Sequence, residues 1–226
     1  EIPPLLDRAE KSFYRLGEDG EQIVTLDGGY AIAPVIPGRI VLADLAQRGR
    51  TLAENKGARL LDLGDGVACL EFRSKMNTLG APVIEMFARA LDLVGSRGMA
   101  GLVIGNDDPR TFAAGADLML VMQSVAEGKW KEMEAASKAF QDAVMSIRRA
   151  PFPVVGAPHG LTLGGGCEFM LHADRVQAHA ELYMGLVEVG VGLLPGGGGT
   201  KELLFRFTEE LMPYPEAHPF EAVKRP

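Results

Sequence analysis

The most informative stretch of the sequence reads Gly160-Leu161-Thr162-Leu163-Gly164-Gly165-Gly166-Cys167-Glu168 and continues into the apolar residues Phe169-Met170-Leu171. Three consecutive glycines before an apolar run indicate a helix that begins with bare backbone N–H groups. Such a helix start attracts negative charge, because its N–H groups lack partners within the helix and the helix dipole is positive at this end. The same glycines are equally typical of a helix packed tightly on a neighbouring element, so this stretch alone leaves both interpretations open.

Outward from this stretch, short apolar runs alternate with helical patterns. The patterns predict, in chain order, strands at 59–63 and 67–72 joined by Gly64-Asp65-Gly66, a helix opened by Pro82 and ended by Gly95, a strand at 102–104, an amphipathic helix over 130–147, and a strand at 153–156. Strands that alternate with helices predict a layered α/β domain.

The first 57 residues have a different pattern. Aromatic and β-branched runs near residues 12–14, 22–26 and 30–33 are separated by Gly-containing turns, which is typical of β-hairpins. We therefore expect a β-rich appendage or linker at 1–57 and an α/β core at 58–226. The chain starts without Met and ends soon after a segment rich in Pro, Glu and His, so both ends are expected to be internal to a longer polypeptide.

Composition narrows the class of protein. The 226 residues are 47% hydrophobic and 23% charged, which is ordinary for a globular domain, and the formal net charge of −7 disfavours nucleic acid as a partner. No apolar run approaches the roughly 20 residues of a membrane helix. Two cysteines, Cys69 and Cys167, are too few for a disulfide framework. We expect a cytoplasmic protein without a membrane segment.

A second Gly-rich stretch runs from Gly185 to Thr200 and contains one acidic residue, Glu188. Its neighbours are apolar or glycine, a setting in which a carboxylate is costly to bury unless it is paired or hydrogen-bonded. Glu188 is therefore a candidate proton donor. The competing interpretation is a structural carboxylate paired with an Arg or Lys from elsewhere in the chain.

A third stretch, Thr111-Phe112-Ala113-Ala114-Gly115-Ala116-Asp117, precedes the apolar run that starts at Leu118. Small residues before an acidic position describe accessible backbone near a helix start. Taken singly, the same pattern is more often an ordinary helix cap at Asp117.

Together, the three stretches resemble the enoyl-CoA hydratase/isomerase family, also called crotonases, from about Leu60 to Thr200. The matching positions are Phe112 to Asp117, Pro153 to Ala157 with Gly160, Gly164 to Glu168, Gly185 with Glu188, and Pro195 with Gly196 to Thr200. Any one of them is weak, but the ordered set is specific. The resemblance implies an α/β fold of ββα units wound as a spiral, with a thioester pocket between the units.

The resemblance also implies roles for particular residues. Glu168 would orient and deprotonate water and Glu188 would deliver a proton to C2 of an enoyl-CoA thioester, as in hydration of trans-2-enoyl-CoA during fatty acid β-oxidation. The remaining roles would be oxyanion-hole donors at the N–H groups of Ala116 and Gly165, and substrate-binding positions at Ala114, Gly115, Asp117 and Gly164. No metal or redox cofactor is implied, since coenzyme A is part of the substrate. The four histidines lack metal-ligand spacing, and His172 is assigned a structural or surface role.

Alternatives within the same resemblance stay open. Double-bond isomerases of the family generally keep only the second acid, so the presence of Glu168 favours hydration. A silent acyl-CoA-binding module of a larger multienzyme is a further candidate. Crotonases continue with several helices that close the acyl pocket and make oligomer contacts, whereas this sequence ends 26 residues after Thr200, so we expect the C-terminal helical part to be truncated. The N-terminal appendage and the run Leu63 to Ala68 are similar to the region entering the hydratase module of bacterial fusions with an NAD-dependent 3-hydroxyacyl-CoA dehydrogenase. This resemblance implies NAD only for an absent dehydrogenase half. The partner it implies is a fused dehydrogenase domain, and a homo-oligomer is the other expectation.

Overall fold

The computed structural model describes residues 13–17, 20–34 and 36–211. The strands are β1 (Tyr14–Gly17), β2 (Gly20–Val24), β3 (Tyr30–Ile32), β4 (Thr51–Glu54), β5 (Ala58–Gly64), β6 (Val67–Phe72), β7 (Gly101–Gly105), β8 (Thr111–Ala113), β9 (Val154–Gly156), β10 (Leu161–Leu163), β11 (Arg175–Val176) and β12 (Tyr183–Gly185). The helices are α1 (Leu42–Gln47), α2 (Ala81–Ser96), α3 (Leu118–Ala126), α4 (Trp130–Arg148), α5 (Gly165–His172) and α6 (Gly199–Leu211). Short 3-10 helices lie at Lys75–Asn77 and Glu188–Val191.

The chain divides into two compact units, Glu1–Arg50 and Thr51–Pro226. In the first unit, β1, β2 and β3 form an antiparallel three-stranded sheet, which confirms the predicted hairpins. The division falls seven residues before the predicted boundary at 57, because β4 pairs antiparallel with β5 and so belongs to the sheet of the second unit.

The second unit is built on a six-stranded sheet with the order β11-β9-β7-β6-β5-β4. Its β5–β6 hairpin confirms the predicted pair of strands at 59–63 and 67–72. The connection needs positive φ angles at Asp65 (50°) and Gly66 (76°), which explains a Gly-rich turn at this point. Strands β6, β7, β9 and β11 then run parallel to one another.

From β7 onward the same order of two strands and a helical segment recurs three times. Strands β7, β9 and β11 each enter the large sheet, and the following strands β8, β10 and β12 form a second, parallel sheet with the order β12-β10-β8. A helical segment follows each pair: α3 and α4 after β8, α5 after β10, and the 3-10 helix with α6 after β12. This second sheet was not predicted, since its strands have three residues each.

The core lies between the large sheet and helices α2, α4 and α5. Four phenylalanines, Phe72, Phe87, Phe112 and Phe169, are almost completely buried and meet edge to face at centroid distances of 5.3–6.1 Å. Burying each such ring contributes about 1.5–3 kcal/mol relative to leaving it exposed. The predicted apolar face of α4 is only partly used, because Val144 and Ile147 are buried while Trp130 is 61% exposed.

Candidate active site

Three loops meet at one edge of the small parallel sheet. Strands β8, β10 and β12 run in the same direction, and their carboxyl ends lead into residues 114–117, 164–168 and 186–188. Binding sites of α/β proteins commonly lie outside the carboxyl ends of parallel strands. The structure therefore brings the three sequence stretches together, although up to about 70 positions separate them along the chain.

The loop after β8 lies directly against the start of α5. Gly115 has a φ of +80°, and a Cβ at this position would come within 2.8 Å of the Leu163 carbonyl oxygen and 3.2 Å of the Gly165 nitrogen. Both the backbone angle and the space thus require glycine here. The Cα of Gly115, one residue before the N–H of Ala116, is thus close to the nitrogen of Gly165.

These two N–H groups are free to bind an oxygen. Gly165 is the first residue of α5, where the helix offers its N–H no internal acceptor. Within residues 36–211, neither the Gly165 N–H nor the Ala116 N–H donates a hydrogen bond. Ala116 is exposed and Gly165 half-buried, so a ligand can reach both. The positive end of α5 adds a favourable field for a developing negative charge.

Glu168 lies in the first turn of α5 and is 2% exposed. Its Oε1 accepts hydrogen bonds from the N–H groups of Gly197 (2.8 Å) and Gly199 (2.9 Å). Burial raises the pKa of Glu168, the two N–H groups lower it, and the nearby Glu188 raises it again, so that the net shift is upward. Oε2 accepts no hydrogen bond from the described residues, which leaves this oxygen available to a water or substrate.

Glu188 begins the 3-10 helix after β12 and is half-buried. Its Oε2 is buried and lacks a hydrogen-bond partner in the part of the chain that the structure describes. No Arg or Lys among those residues forms an ion pair with it, so the competing interpretation of a paired structural carboxylate finds no support there. A Cβ on Gly164 would lie 3.1 Å from Oε1 of Glu188, which places this carboxyl beside the residue preceding α5.

The four predicted substrate-binding residues hold the frame of the site. The N–H of Ala114 donates to the Met76 carbonyl (3.2 Å), and the N–H of Gly164 donates to the Gly185 carbonyl (2.9 Å). The carbonyl of Gly115 accepts from the N–H of Leu79 at 2.8 Å. The carboxylate of Asp117 caps α3 by accepting from the N–H groups of Met119 and Leu120. Asp117 thus has the capping role that its pattern suggested, and direct contact of these four residues with substrate stays a prediction.

Two features of the site were missed from the sequence. The run Gly196 to Gly199 wraps the Glu168 side chain: a Cβ on Gly197 would lie 2.7 Å from Oε2 of Glu168, and one on Gly199 would lie 2.9 Å from its Cγ. Phe140 of α4 also packs against the site, 2.9 Å from a Cβ built on Gly165. Four glycines in a row were the available signal, because such a run permits close approach of a backbone to a buried side chain.

Strain accompanies the site on its other flank. Met76 and Asn77 both have positive φ angles, 54° and 52°, although neither is glycine. The Asn77 side-chain amide donates to the carbonyl of Thr111 in β8 at 2.8 Å, and the Met76 carbonyl accepts from Ala114. Strained backbone of this kind persists where surrounding contacts fix it. These contacts tie the 3-10 helix at Lys75–Asn77 to the loop that carries Ala116.

Cys167, next to Glu168, has no nucleophilic character at neutral pH. Burial, with smaller effects from Glu168 and Glu188, raises the pKa of its thiol to about 12, so it stays protonated. Among residues 13–17, 20–34 and 36–211, no three His, Cys, Asp or Glu side chains are grouped as ligands for a metal ion.

The chain is similar in sequence to proteins of one family. The family model for enoyl-CoA hydratase/isomerase matches residues 63–208. A Bacillus subtilis (strain 168) protein named "Probable 3-hydroxyacyl-CoA dehydrogenase" is 43% identical over 202 residues, which are 89% of this chain and 25% of that protein. The fatty acid oxidation complex subunit alpha of Vibrio campbellii is 41% identical over 135 residues, covering 57% of this chain and 18% of that subunit.

Solved structures resemble the chain in fold. An enoyl-CoA hydratase from Geobacillus kaustophilus HTA426 superimposes with a TM-score of 0.61 at 24% identity, covering 68% of this chain and 57% of that one. An enoyl-CoA hydratase from Bacillus anthracis gives a TM-score of 0.59 at 23% identity, covering 65% and 57%. These likenesses confirm the fold class predicted from the sequence. The chain spans about a quarter or less of the length of the curated relatives it matches.

No helix in the described residues is both long enough and apolar enough to cross a lipid bilayer.

Proposed function

The chain belongs to the enoyl-CoA hydratase/isomerase family, and from this premise we propose that it adds water across the double bond of a trans-2-enoyl-CoA to give a 3-hydroxyacyl-CoA in fatty acid β-oxidation. The observation that carries the proposal is the convergence of two carboxyl groups and two unpaired N–H groups at one sheet edge. Hydration uses both kinds of group at once, because it needs a base for water, an acid for C2 and a donor pair for the thioester oxygen.

Binding of the thioester carbonyl is the first step. The N–H groups of Ala116 and Gly165 donate to its oxygen and draw electrons from the conjugated double bond, so that C3 becomes electrophilic. Both donors are main-chain groups held by the frame around Gly115, so they need not reorganise when the oxygen gains negative charge. In other enzymes, removal of one such donor slows the reaction by about 100- to 1000-fold.

Proton transfer is divided between the two glutamates. Oε1 of Glu168 is occupied by the N–H groups of Gly197 and Gly199, so Oε2 receives a proton from the attacking water as the C3–O bond forms. The electron pair of the double bond moves into the thioester enolate, and Glu188 then delivers a proton to C2. The cycle closes when the proton gained by Glu168 passes to Glu188 through solvent.

The environments of the two carboxyls suit these roles. A raised pKa makes the ionised form of Glu168 a stronger base than a carboxylate in water. No described residue contacts the buried Oε2 of Glu188 by a hydrogen bond, so this oxygen is free to interact with a bound substrate. The mechanism uses no metal and no redox cofactor, and coenzyme A enters as part of the substrate.

The wider assembly is also a proposal. Similarity to part of a protein named as a 3-hydroxyacyl-CoA dehydrogenase supports a chain that works beside a dehydrogenase domain in one multienzyme. NAD would bind to that domain and not to the residues of the site described above. Homo-oligomers of the chain or of the whole multienzyme would be compatible with the same chemistry.

Hydration of crotonyl-CoA tests the proposed activity. We expect the loss of enoyl-thioester absorbance to follow the chain concentration, and we expect Glu168→Gln and Glu188→Gln each to lower kcat by about 100-fold or more, within the range of general acid–base catalysis. Glu132→Gln, on the exposed side of α4, is the matched control and should keep full activity. A folded chain that is no more active than the Glu168→Gln/Glu188→Gln double variant refutes the enzyme proposal and favours an acyl-CoA-binding module. Calorimetry with crotonyl-CoA then measures the affinity of that module for its ligand.

The same variants separate hydration from double-bond isomerisation. Moving a proton from C2 to C4 requires one carboxyl group, whereas adding water requires two. If the chain isomerises a 3-enoyl-CoA and Glu168→Gln leaves that rate unchanged while no hydration is seen in either protein, isomerisation is the main activity. We expect the opposite pattern, with hydration dominant and dependent on both glutamates.

A further inference from the structure

One buried acid in this unit has no part in the proposed chemistry. Glu202, in the first turn of α6, is fully inaccessible to solvent. Its Oε2 is 2.6 Å from Nη1 of Arg148, at the end of α4, and its Oε1 is 2.8 Å from Nζ of Lys201. A buried carboxylate is costly unless it is paired. Lys201 lies in α6 itself, so it is Arg148, from α4, that restricts where the first turn of α6 can lie.

Glu202 also faces His172, which contacts the main chain of Glu168. The His172 ring is completely buried, with Nε2 3.5 Å from Oε1 of Glu202 and Nδ1 2.7 Å from the carbonyl oxygen of Glu168. Because a carbonyl oxygen can only accept, Nδ1 carries the proton of this hydrogen bond. A continuous series of contacts thus runs from Glu202 through His172 to the backbone of Glu168.

A second connection joins Glu202 to the Glu168 carboxyl itself. The N–H groups of Gly197 and Gly199 bind Oε1 of Glu168, and the N–H of Glu202 donates to the carbonyl of Gly198 at 3.0 Å. Gly199 and Glu202 therefore share one helical turn. Displacing that turn displaces both donors to the Glu168 carboxylate.

We propose that Glu202 is a positioning residue for the reaction: its ion pair with Arg148 holds the first turn of α6 against the end of α4, beside His172 of α5, and so holds the two N–H groups that orient Glu168. The inference rests on the proposed function, in which Glu168 is the base. A buried ion pair is directional in a way that apolar packing is not, which suits a turn whose orientation must be kept within a fraction of an ångström.

The electrostatic state of the cluster is compatible with this role. Burial acts to raise the pKa of Glu202, but the groups that face it, with Lys201 first among them, outweigh burial, so the net shift is downward and the group is ionised at neutral pH. Burial lowers the pKa of His172, and the cations Lys201 and Arg148 act in the same direction, against the Glu168 carbonyl and Glu202. A neutral His172 keeps its Nδ1–H for the Glu168 carbonyl.

Glu202→Ala is the decisive variant, with Glu202→Gln as a conservative rescue. Alanine removes the ion pair and releases the first turn of α6. Glutamine keeps an acceptor for Arg148 and can offer an N–H to Nε2 of His172, so it should restore most of the function. Asp142→Ala is the matched control, because it breaks an ion pair with Lys138 on the exposed side of α4.

The first readout is titration of the Glu168 carboxyl by 13C NMR, assigned with Glu168→Gln, which needs no substrate. The two N–H groups now lower the pKa of Glu168, so their displacement in Glu202→Ala should move its titration to higher pH. The second readout is crotonyl-CoA hydration. We expect kcat to fall on the order of 10- to 100-fold with little change in KM, since a misplacement of about 1 Å can have that effect.

The outcomes distinguish the two proposals. A folded Glu202→Ala with a Glu168 titration and a kcat equal to those of Asp142→Ala overturns the positioning role. If Glu202→Ala does not fold, Arg148→Met removes the same ion pair from its exposed end and is judged by the same two readouts against Asp142→Ala. An unmutated chain that does not hydrate crotonyl-CoA overturns the proposed function alone, and the NMR titration still decides the positioning role.

Discussion

Replacing Gly197 by alanine should disable the Glu168 carboxylate without changing the Glu168 side chain. A Cβ on Gly197 would lie 2.3 Å from Cε1 of Phe140 and 2.7 Å from Oε2 of Glu168. Carbon atoms in good contact are about 3.5–4.0 Å apart, so the loop or the Phe140 ring must move by about 1 Å. A movement of that size takes the Gly197 N–H, now 2.8 Å from Oε1 of Glu168, beyond hydrogen-bonding distance.

The magnitude follows from these distances. Misplacing a catalytic group by about 1 Å can lower the rate by about 100-fold, so we expect kcat for crotonyl-CoA hydration to fall to about 1%. Overpacking of this kind also costs about 1–3 kcal/mol of unfolding free energy. Phe140 cannot relieve the overlap easily, because its ring packs against Phe169 at a centroid distance of 5.4 Å.

Gly196→Ala is the control, because Gly196 is adjacent to Gly197 but has no N–H bond to Glu168 and has open space around its Cβ position. The nearest atom to a Cβ on Gly196 is the Leu194 carbonyl oxygen at 4.0 Å, and neither glycine has a positive φ angle. Steady-state kinetics and thermal unfolding of both variants measure the difference. If Gly197→Ala has the same kcat and the same Tm as Gly196→Ala, the inference that this loop orients Glu168 is wrong.

Three further changes test other parts of the site. The pKa of Glu168 is raised on folding, so the contribution of this carboxyl to stability is present below the ordinary pKa of 4.5 and is lost as the pH rises through the pKa of the folded state. Glu168→Gln should therefore raise Tm at pH 7, and this gain in Tm should vanish toward pH 4.5. Gly115→Ala should abolish hydration, because it places a methyl group 3.2 Å from the Gly165 nitrogen. Gly98→Ala is its control and should lower only Tm, because Gly98 also has a positive φ but has no atom within 4 Å of its Cβ position. The pKa of His172 is lowered on folding, so its contribution to stability is present above the ordinary pKa of 6.5 and is lost as the pH falls toward the pKa of the folded state. Below pH 6.5, Tm should therefore fall more steeply with pH in the unmutated chain than in His172→Gln.

Much of the fold follows from local pattern. The Gly64-Asp65-Gly66 turn between two β-type runs predicts the β5–β6 hairpin, because its φ angles of 50° at Asp65 and 76° at Gly66 suit residues of this type. The helical spacing of Val83, Phe87 and Val94 predicts α2, and all three side chains are buried. The strands β8, β10 and β12 were beyond such reasoning, because three residues are too few to show a period of two.

The site divides in the same way. Its acidic residues and its glycines could be identified from the sequence, since a Glu among apolar residues and a Gly-rich helix start each have a physical reason to be noticed. The pairing of these groups could not be predicted in full from the sequence. The capping role of Asp117 is local and could be predicted, but the anchoring of Glu202 by Arg148, 54 positions away, depends on a tertiary contact that no local pattern carries.

The backbone around Glu168 decides which of its oxygens can act as the base. The N–H groups of Gly197 and Gly199 both bind Oε1, so Oε2 is the oxygen that can take a proton from water. Burial is the largest effect on the pKa of Glu168 and raises it, and these two N–H groups act against burial. The role of Glu168 as base thus depends on two main-chain donors as well as on its own side chain, and for this reason substitutions at glycine in this loop should lower the rate of hydration as substitutions at Glu168 do.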